Sequence, residues 1–233
     1  MYVSINFFAF GRRTFQLCRC STNFVKDPDL GVELIVEGGL SSPTSMAFIG
    51  NNSILVLEKN SGEVRLVSNG ALLEEPVMKL DVDATTLTCC RGLLGIANIE
   101  NEIFLYFSEA AKDGQPVRNR LYKYQWNDHN HTLTNPELSL ELPATPGPNH
   151  PGGKITIGKD HYLYTVIGDL NNDGLLQNIE DGPEPNDSSV ILKIGPEDGS
   201  PANDNPFLIM LNKEKVRWIN TMHMVFEIAL DWQ

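Results

Sequence analysis

The sequence predicts an all-β fold arranged as part of a β-propeller, and three observations support this prediction. From residue 31 onward, apolar and polar residues alternate in runs of about five to eight, as they do in β-strands. Gly, Asn, Asp and Pro separate the runs, whereas apolar residues at helical spacing are almost absent. The runs also group into a unit whose starts lie about 50 to 60 residues apart. Antiparallel repeats of this kind are typical of propeller blades, each of which is covered by its neighbours.

The first unit reads SMAFIGNNSILVLEKNSGEVRLV and contains three predicted strands. Asn-Asn separates the first strand from the second, and Asn-Ser-Gly separates the second from the third, which are turn-forming combinations. Ahead of this unit, GVELIVEG predicts one more strand. The predicted strands of this part of the chain are residues 31–38, 45–50, 53–59 and 63–68.

The second and third units repeat the same order. LLGIANIENEIFLYFSE and GGKITIGKDHYLYTVIGD each give two apolar strands around a short polar turn, followed by a longer connection. The third strand of every unit carries Arg or Lys. The predicted strands are residues 93–99, 102–109, 119–126, 138–144, 154–158, 161–168 and 189–195.

The predicted propeller is incomplete. Three units and part of a fourth are too few to close a ring, because propellers usually have four to eight blades. We therefore predict a partial β-propeller of about three to four blades over residues 28–207. Residues 1–27 are interpreted as a leader or disordered arm, since they lack the charged start and the long apolar centre of a signal peptide.

Charge and hydropathy exclude several classes of partner. The chain has 18 basic and 30 acidic residues, so its formal charge is -12 and its surface should repel phosphate backbones and anionic lipid. Nucleic acid is therefore not expected as a partner, and no apolar run reaches the roughly 18 residues needed for a membrane span. Three glycosylation sequons, at Asn51, Asn130 and Asn186, would matter only in a secreted protein.

His150 is the candidate catalytic residue. It lies in NHPGGKITIG, where Pro and Gly predict a turn directly before a strand, and strand entrances are where propellers gather ligands around the central channel. Histidine titrates near neutrality, which makes it a ready proton acceptor. The alternative is a histidine that stabilises the turn or faces solvent.

DLNNDGLLQNIE, after the next predicted strand, is a candidate metal loop. Asp169, Asn171 and Asp173 stand at the first three ligand positions of an EF-hand calcium loop. An EF-hand needs helices on both sides, whereas a strand precedes this loop and Pro183 and Pro185 oppose a helix after it. The open interpretations are a calcium-holding loop of another kind and a solvated acidic turn.

Four segments together resemble one known family. GLSSPTSMAF, RGLLGIAN, HPGGKITIGKDHYLYTVIGD and DGSPANDNPF, in this order and spacing, are similar to the soluble quinoprotein glucose and sorbosone dehydrogenases, with coverage from about Asp29 to Phe207. The resemblance implies a six-bladed β-propeller that works outside the cytoplasm, binds pyrroloquinoline quinone (PQQ) and calcium, and oxidises an aldose-type sugar. It implies that His150 takes the proton of the sugar hydroxyl while hydride passes to the quinone. The electron acceptor that reoxidises the quinone is not predicted.

Two positions depart from the family pattern. An Asp and a Gln of well-studied members correspond here to Asn149 and Cys90. Because a neutral Asn cannot raise the basicity of an imidazole as a carboxylate does, we expect weaker proton abstraction or another substrate. The competing hypothesis is a non-enzymatic extracellular propeller module that binds calcium or carbohydrate.

The C-terminal segment departs further. Where the family continues with a motif like YAYGIRNSFG, whose Arg and Asn contact the quinone, this chain reads INTMHMVFEIALDWQ. Codons for residues 221–231 can be chosen so that a shifted reading frame spells the family motif. We therefore predict that residues 208–233 are an out-of-frame tail and that the truncated protein has impaired activity.

Overall fold

The computed structural model describes residues 33–84, 90–172 and 187–204, together with the backbone of residues 221–222. The regular secondary structure of these residues consists of β-strands alone, and the strands pair only antiparallel. The strands are β1 Pro43–Phe48, β2 Ser53–Glu58, β3 Glu63–Ser68, β4 Ala71–Leu72, β5 Met78–Lys79, β6 Leu93–Ile99, β7 Glu102–Glu109, β8 Arg118–Asn127, β9 Thr132–Leu142, β10 Ile155–Ile157, β11 Leu163–Ile167, β12 Val190–Ile194 and β13 Thr221–Met222.

The strands form three sheets that follow one another along the chain. β1 to β4 form the first sheet in order, with β5 paired to β3, β6 to β9 form the second, and β10 to β13 form the third. Each sheet thus repeats a meander of neighbouring antiparallel strands, which confirms the predicted unit. β13 lies in the segment predicted to be an out-of-frame tail, and that prediction is not tested by this pairing.

The first strands of the three sheets lie side by side and start at the same end. Thr44 Oγ1 near the start of β1 donates a hydrogen bond to the carbonyl oxygen of Leu93 at the start of β6, at 2.8 Å. A Cβ placed on Gly95 of β6 would lie 1.8 Å from the carbonyl oxygen of Gly153, two residues before β10. We call this end of the sheets the strand-start face and the other end the strand-end face.

Strand β7 packs against both neighbouring sheets. Leu105 and Phe107 point into the core between the first and second sheets, while Phe104 and Tyr106 point into the core between the second and third. All four are buried, as expected for alternate residues of a strand with both faces covered. A sheet covered on both sides by sheets of its own kind is the arrangement of propeller blades, and the chain is an incomplete β-propeller.

The prediction of a strand over residues 31–38 is wrong for its described part, because residues 33–38 form no strand. Adjacent residues Ile35 and Val36 both pack on the outer face of the first sheet, over Ile54, Val56 and Val67. Neighbouring residues of a strand point to opposite sides and could not both make this contact. The segment instead packs on the outer face of the first sheet without pairing with it.

Strand β9 begins earlier than the sequence predicts, at Thr132 instead of residue 138. Apart from the buried Leu133, its first half is mostly exposed and contains Pro136, which is tolerated because β9 lies at the edge of its sheet. The pairing of β8 with β9 shifts register between Lys123 and Gln125, which breaks the alternation that identifies a strand. The two-residue strands β4 and β5 also escaped prediction.

The Arg or Lys predicted on the third strand of each unit has the same role in all three sheets. Each cation is largely buried and bridges two carboxylates: Arg65 with Glu58 and Glu63, Lys123 with Glu102 and Glu137, and Lys193 with Asp160 and Asp204. In the parts of the chain that the structure describes, no helix has the length and apolar character needed to cross a bilayer.

Candidate functional site

His150 lies on the strand-start face, in the connection from β9 to β10. Its backbone adopts a left-handed conformation with φ 56°, and Gly152 and Gly153 follow with φ 73° and 99°. The connection lies tightly against β11, since a Cβ on Gly152 would stand 2.1 Å from the carbonyl oxygen of Val166. Only glycine fits there, so the Gly-Gly pair after His150 sets where its ring lies.

The ring of His150 contacts a carboxylate. Its Nδ1 atom lies 2.6 Å from Oδ1 of Asp169, which is the second residue after β11. Because an ionised carboxylate can only accept a hydrogen bond, this contact assigns the proton to Nδ1 and leaves Nε2 as the proton acceptor. The His150 side chain is 54% exposed and that of Asp169 only 18%, so the pair is anchored on the carboxylate side and open on the ring side.

The backbone turn around Asn171 connects the two loops of the site. Asn171 Oδ1 accepts a hydrogen bond of 2.8 Å from the backbone N–H of Asn149, next to His150. The backbone N–H of Gly147 donates to the carbonyl oxygen of Leu170 at 2.9 Å. Leu170 and Asn171 both have positive φ, 53° and 66°, a conformation that Asn tolerates well. These bonds hold Asp169 beside His150.

Arg91 anchors the connection from β9 to β10 at residues before His150. Its Nη1 donates to Asp83 Oδ2 at 2.6 Å, and both side chains are 11% exposed. Its Nη2 donates to the carbonyl oxygens of Ala144 and, at 3.5 Å, of Gly147. The arginine of RGLLGIAN thus holds the chain a few residues before His150.

Tyr106 supports the connection from the other side. Its hydroxyl donates a hydrogen bond of 2.8 Å to the carbonyl oxygen of Pro151, inside the core between the second and third sheets. Burial raises the pKa of Tyr106, so the hydroxyl stays a neutral donor. The residues on both sides of His150 are therefore held by Arg91, just before β6, and by the buried Tyr106 of β7.

The structure brings together three of the four residues that the sequence singles out for a site. His150, Asp169 and Asn171 form one hydrogen-bonded group, whereas Asp173 lies outside the described residues. Asp169 Oδ1 contacts His150, and Asn171 Oδ1 accepts from the backbone of Asn149. No group of three or more His, Cys, Asp or Glu suited to a metal occurs within the described ranges. The calcium loop remains a prediction.

The partnership of His150 with Asp169 was missed from the sequence, although the signal for it is present. β10 and β11 pair antiparallel, so the residues before β10 lie next to the residues after β11. His150 and Asp169 occupy those two places. A carboxylate from another loop thus contacts His150, although the residue before it, Asn149, is neutral.

Comparisons with known proteins agree with this fold. The family model described as "Glucose / Sorbosone dehydrogenase" matches residues 40–218, which extends past the predicted boundary at residue 207. Among curated proteins, the chain is 24% identical over 151 residues to quinoprotein glucose dehydrogenase B of Acinetobacter calcoaceticus, covering 60% of this chain and 31% of the relative.

Solved structures give the same answer. A Thermus thermophilus protein described as a putative oxidoreductase (glucose dehydrogenase) is 29% identical, with a TM-score of 0.61 over 73% of this chain and 48% of that one. The PQQ-bound aldose sugar dehydrogenase of Streptomyces coelicolor is 26% identical, with a TM-score of 0.59 over 72% and 48%. The chain therefore spans about half the length of these structures. Because the family model matches most of this chain, the chain belongs to the glucose/sorbosone dehydrogenase family.

Proposed function

We propose that this chain carries the proton-accepting part of a PQQ-dependent aldose dehydrogenase, with His150 as the base and Asp169 as the residue that orients it. The observation that carries the proposal is the 2.6 Å contact between the two side chains, together with the exposure of the His150 side chain. The names of the Acinetobacter and Streptomyces relatives, a quinoprotein glucose dehydrogenase and a PQQ-bound aldose sugar dehydrogenase, support the reaction class.

The geometry around His150 suits removal of a proton from a sugar hydroxyl. Asp169 accepts a hydrogen bond from Nδ1–H, which leaves the lone pair of Nε2, on a half-exposed side chain, to take the proton. The hydroxyl on the anomeric carbon gives its proton to Nε2, the O–H electrons form the carbonyl bond, and the C–H hydrogen leaves as hydride. Asp169 then stabilises the imidazolium that forms. PQQ, when bound, supplies the two-electron acceptor.

Three cations of the described residues, Arg91, Lys123 and Lys193, are already engaged by other groups of the chain and offer no free charge to the quinone. PQQ is a tricarboxylate and calls for cationic partners, but the guanidinium of Arg91 is engaged by Asp83 and two carbonyl oxygens. Lys123 and Lys193 are engaged by carboxylates of their own sheets. We propose that the contacts to the quinone come from residues outside the described ones. The proposed calcium loop with Asp169, Asn171 and Asp173 would be shared with such residues.

Two further proposals concern the turnover of the chain and its location. Because the chain spans about half of the matched structures, we propose that it turns over sugar poorly without the residues that correspond to the remaining half. We also propose an extracytoplasmic location, in keeping with the family resemblance.

Dye reduction with the purified chain tests the expected impairment. The chain is mixed with PQQ, CaCl₂ and an aldose such as glucose, and reduction of a redox dye is followed. We expect little turnover. Robust activity would show that the described site, with the rest of this chain, suffices for the whole reaction.

The role of His150 is tested in a chimera that continues after residue 204 with the C-terminal half of the Streptomyces coelicolor enzyme. We expect restored dye reduction, and a fall in kcat of about 10²-fold or more in both His150→Asn and Asp169→Asn, the range for loss of general-base catalysis. Asp160→Asn removes a carboxylate of the same sheet that does not contact His150, and it should keep the activity. Full activity of His150→Asn would refute the proposed base.

A binding module without redox activity is the second candidate. The exposed ring of His150 and the engagement of Arg91 by Asp83 favour a site that holds a neutral sugar over one that holds a tricarboxylate. Calorimetry separates the two. Binding of calcium and an aldose without any binding of PQQ, in both the chain and the chimera, would support the module.

A further inference from the structure

We propose that Asn130 and Asn51 are N-glycosylation sites and that their glycans lie on the face of the propeller opposite His150. Both belong to Asn-x-Ser/Thr sequons, Asn51 with Ser53 and Asn130 with Thr132. The proposal requires that the chain enters a secretory pathway with a glycosylating transferase. It does not require the proposed oxidation of sugars.

The turn between β8 and β9 presents Asn130 in a fixed conformation. Asn127 Oδ1 accepts hydrogen bonds from the backbone N–H groups of His129, at 3.0 Å, and of Asn130, at 3.4 Å. The ring of His131 stacks on Trp126 with centroids 6.0 Å apart and an interplanar angle of 8°. The turn is thus anchored on both sides of Asn130, whose own side chain is exposed.

The sequon hydroxyl contacts the acceptor amide. Thr132 Oγ1 donates a hydrogen bond of 2.6 Å to Asn130 Oδ1, which holds the amide by its oxygen. In the transfer, Nδ2 of Asn130 attacks the anomeric carbon of an oligosaccharide linked to a lipid pyrophosphate. The C–N bond forms, the C–O bond to the pyrophosphate breaks, the lipid pyrophosphate leaves, and one Nδ2 proton passes to a base of the transferase. The exposed turn has room for the product.

Asn51 lies at the tip of the turn between β1 and β2. Its neighbour Asn52 donates from Nδ2 to Asn69 Oδ1 of the adjacent turn at 3.3 Å, while Asn51 itself is exposed. Here the sequon hydroxyl points elsewhere, because Ser53 Oγ donates to Ser68 Oγ across the hairpin at 3.4 Å. We therefore expect a lower occupancy at Asn51 than at Asn130.

The topology places both acceptors on the strand-end face. β1 begins on the strand-start face and Asn51 follows its last residue, so Asn51 lies at the other end. β6 begins on the strand-start face and β7 and β8 alternate in direction, so β8 ends with β6 on the strand-end face, where Asn130 follows. His150 precedes β10 on the strand-start face. Strands of six or seven residues separate the two faces by about 20 Å.

A glycan on this face would also cover apolar surface. Phe48, the last residue of β1, is 52% exposed and stands three positions before Asn51. A sugar on Asn51 can lie over that ring, which otherwise meets water. The site at His150 stays open at the same time.

Translation of the full chain with microsomes tests the proposal. The full chain is fused behind a cleavable signal sequence and carries a C-terminal tag that is itself a glycosylation acceptor. Only chains that are protected from protease and have a glycosylated tag are scored. We expect Asn130 to carry a glycan in most of these chains and Asn51 in fewer. Sensitivity to an endoglycosidase identifies the glycans, and mass spectrometry of peptides gives the occupancy of each site. Asn130→Gln and Thr132→Ala should each abolish the Asn130 glycan, and Thr132→Ser should keep it.

Asn51 has a matched control in the next residue. Asn51→Gln should remove its glycan, whereas Asn52→Gln leaves the sequon intact and should retain it. Unmodified Asn130 in translocated chains whose tag is modified would overturn the proposal, whatever the result of the dye assay. Modification at Asn51 exceeding that at Asn130 would overturn the role given to the sequon hydroxyls.

Discussion

Arg91 is the residue on which the position of the loop before His150 depends most. Its guanidinium joins Asp83 to the carbonyl oxygens of Ala144 and Gly147, so one side chain connects parts of the sequence more than 50 residues apart. Asp83 and Arg91 are both largely buried, and a buried charge that loses its partner is costly because it has left water without compensation.

Arg91→Ala should therefore lower the free energy of unfolding by about 3 kcal/mol or more, in the range found when one partner of a buried ion pair is removed. The measurement is urea unfolding followed by tryptophan fluorescence. Arg118→Ala is the control, because Arg118 is more exposed and pairs with Glu141 at 3.6 Å, so its loss should cost at most about 1 kcal/mol. Equal losses in the two variants would contradict the anchoring role of Arg91.

At the scale of elements, the third strand of each sheet carries a cation between two carboxylates. In the third sheet, Lys193 Nζ lies 2.9 Å from Asp160 and 2.7 Å from Asp204, over the ring of Tyr162. The hydrogen bond with Asp204 contributes most to raising the pKa of Lys193, followed by that with Asp160. Such a pair makes the third sheet sensitive to acid.

The pKa of Asp160 predicts the direction of that sensitivity. Lys193, and next the hydroxyl of Tyr164, lower the pKa of Asp160 from 3.8 to about 2. A carboxylate whose pKa is lower in the folded state stabilises the fold above its unfolded pKa, and this contribution disappears as the pH falls from about 4 to 2. At pH 6 the free energy of unfolding of Asp160→Asn should be lower than that of the unchanged chain. The two values should converge near pH 2.

Urea titrations at several pH values check this convergence. Asp113→Asn removes an exposed carboxylate of a turn and controls for the loss of one negative charge. A difference for Asp160→Asn that stays constant down to pH 2 would show that the ion pair with Lys193 does not form in solution.

The contact between the second and third sheets depends on a glycine. A Cβ on Gly95 of β6 would lie 1.8 Å from the carbonyl oxygen of Gly153, so an alanine must push the two sheets apart. Gly95→Ala should lower the unfolding free energy by about 1 to 3 kcal/mol, the usual cost of overpacking. Gly38→Ala, where a Cβ meets nothing within 4 Å, is the control and should change stability little. No loss in Gly95→Ala would contradict the close approach of the strands.

At the scale of the whole molecule, β7 contributes side chains to both main cores, so we expect the two cores to unfold as one cooperative unit. Phe107 belongs to the core with the first sheet and Phe104 to the core with the third, and both side chains are buried. Phe107→Ala and Phe104→Ala should each cost about 3 to 5 kcal/mol, because a large cavity remains. Both losses should appear in a single calorimetric transition of the entire chain. Two transitions, each sensitive to only one variant, would show that the sheets unfold separately.

Sequence reasoning succeeded for short apolar runs bounded by turn residues and failed where that pattern was interrupted. EVRLVS, LLGIANI and EIFLYFSE form strands at the predicted residues, because their side chains alternate between two packed faces. The first half of β9 was missed because Pro136, an exposed edge and a shift of register removed the alternation. Residues 33–38 misled because their apolar residues cover a sheet without joining it.

The candidate site was predicted residue by residue but not as an arrangement. His150 was identified from its turn and from the family resemblance, and Asp169 from the spacing of oxygen ligands. Neither signal states that the two side chains touch. The pairing of β10 with β11 brings Asp169 to His150, and the loop is then held by Tyr106 of β7 and by Arg91, just before β6.

The amino-acid sequence by itself determined the all-β character, the three repeated units and the family, because strand alternation, turn residues and short motifs are local properties. Only the tertiary structure decided which carboxylate serves His150, which cation holds its loop and on which face the sequons lie. These depend on contacts between residues far apart in the chain. Such contacts are selected by the packing of whole sheets against one another, and no local pattern encodes them.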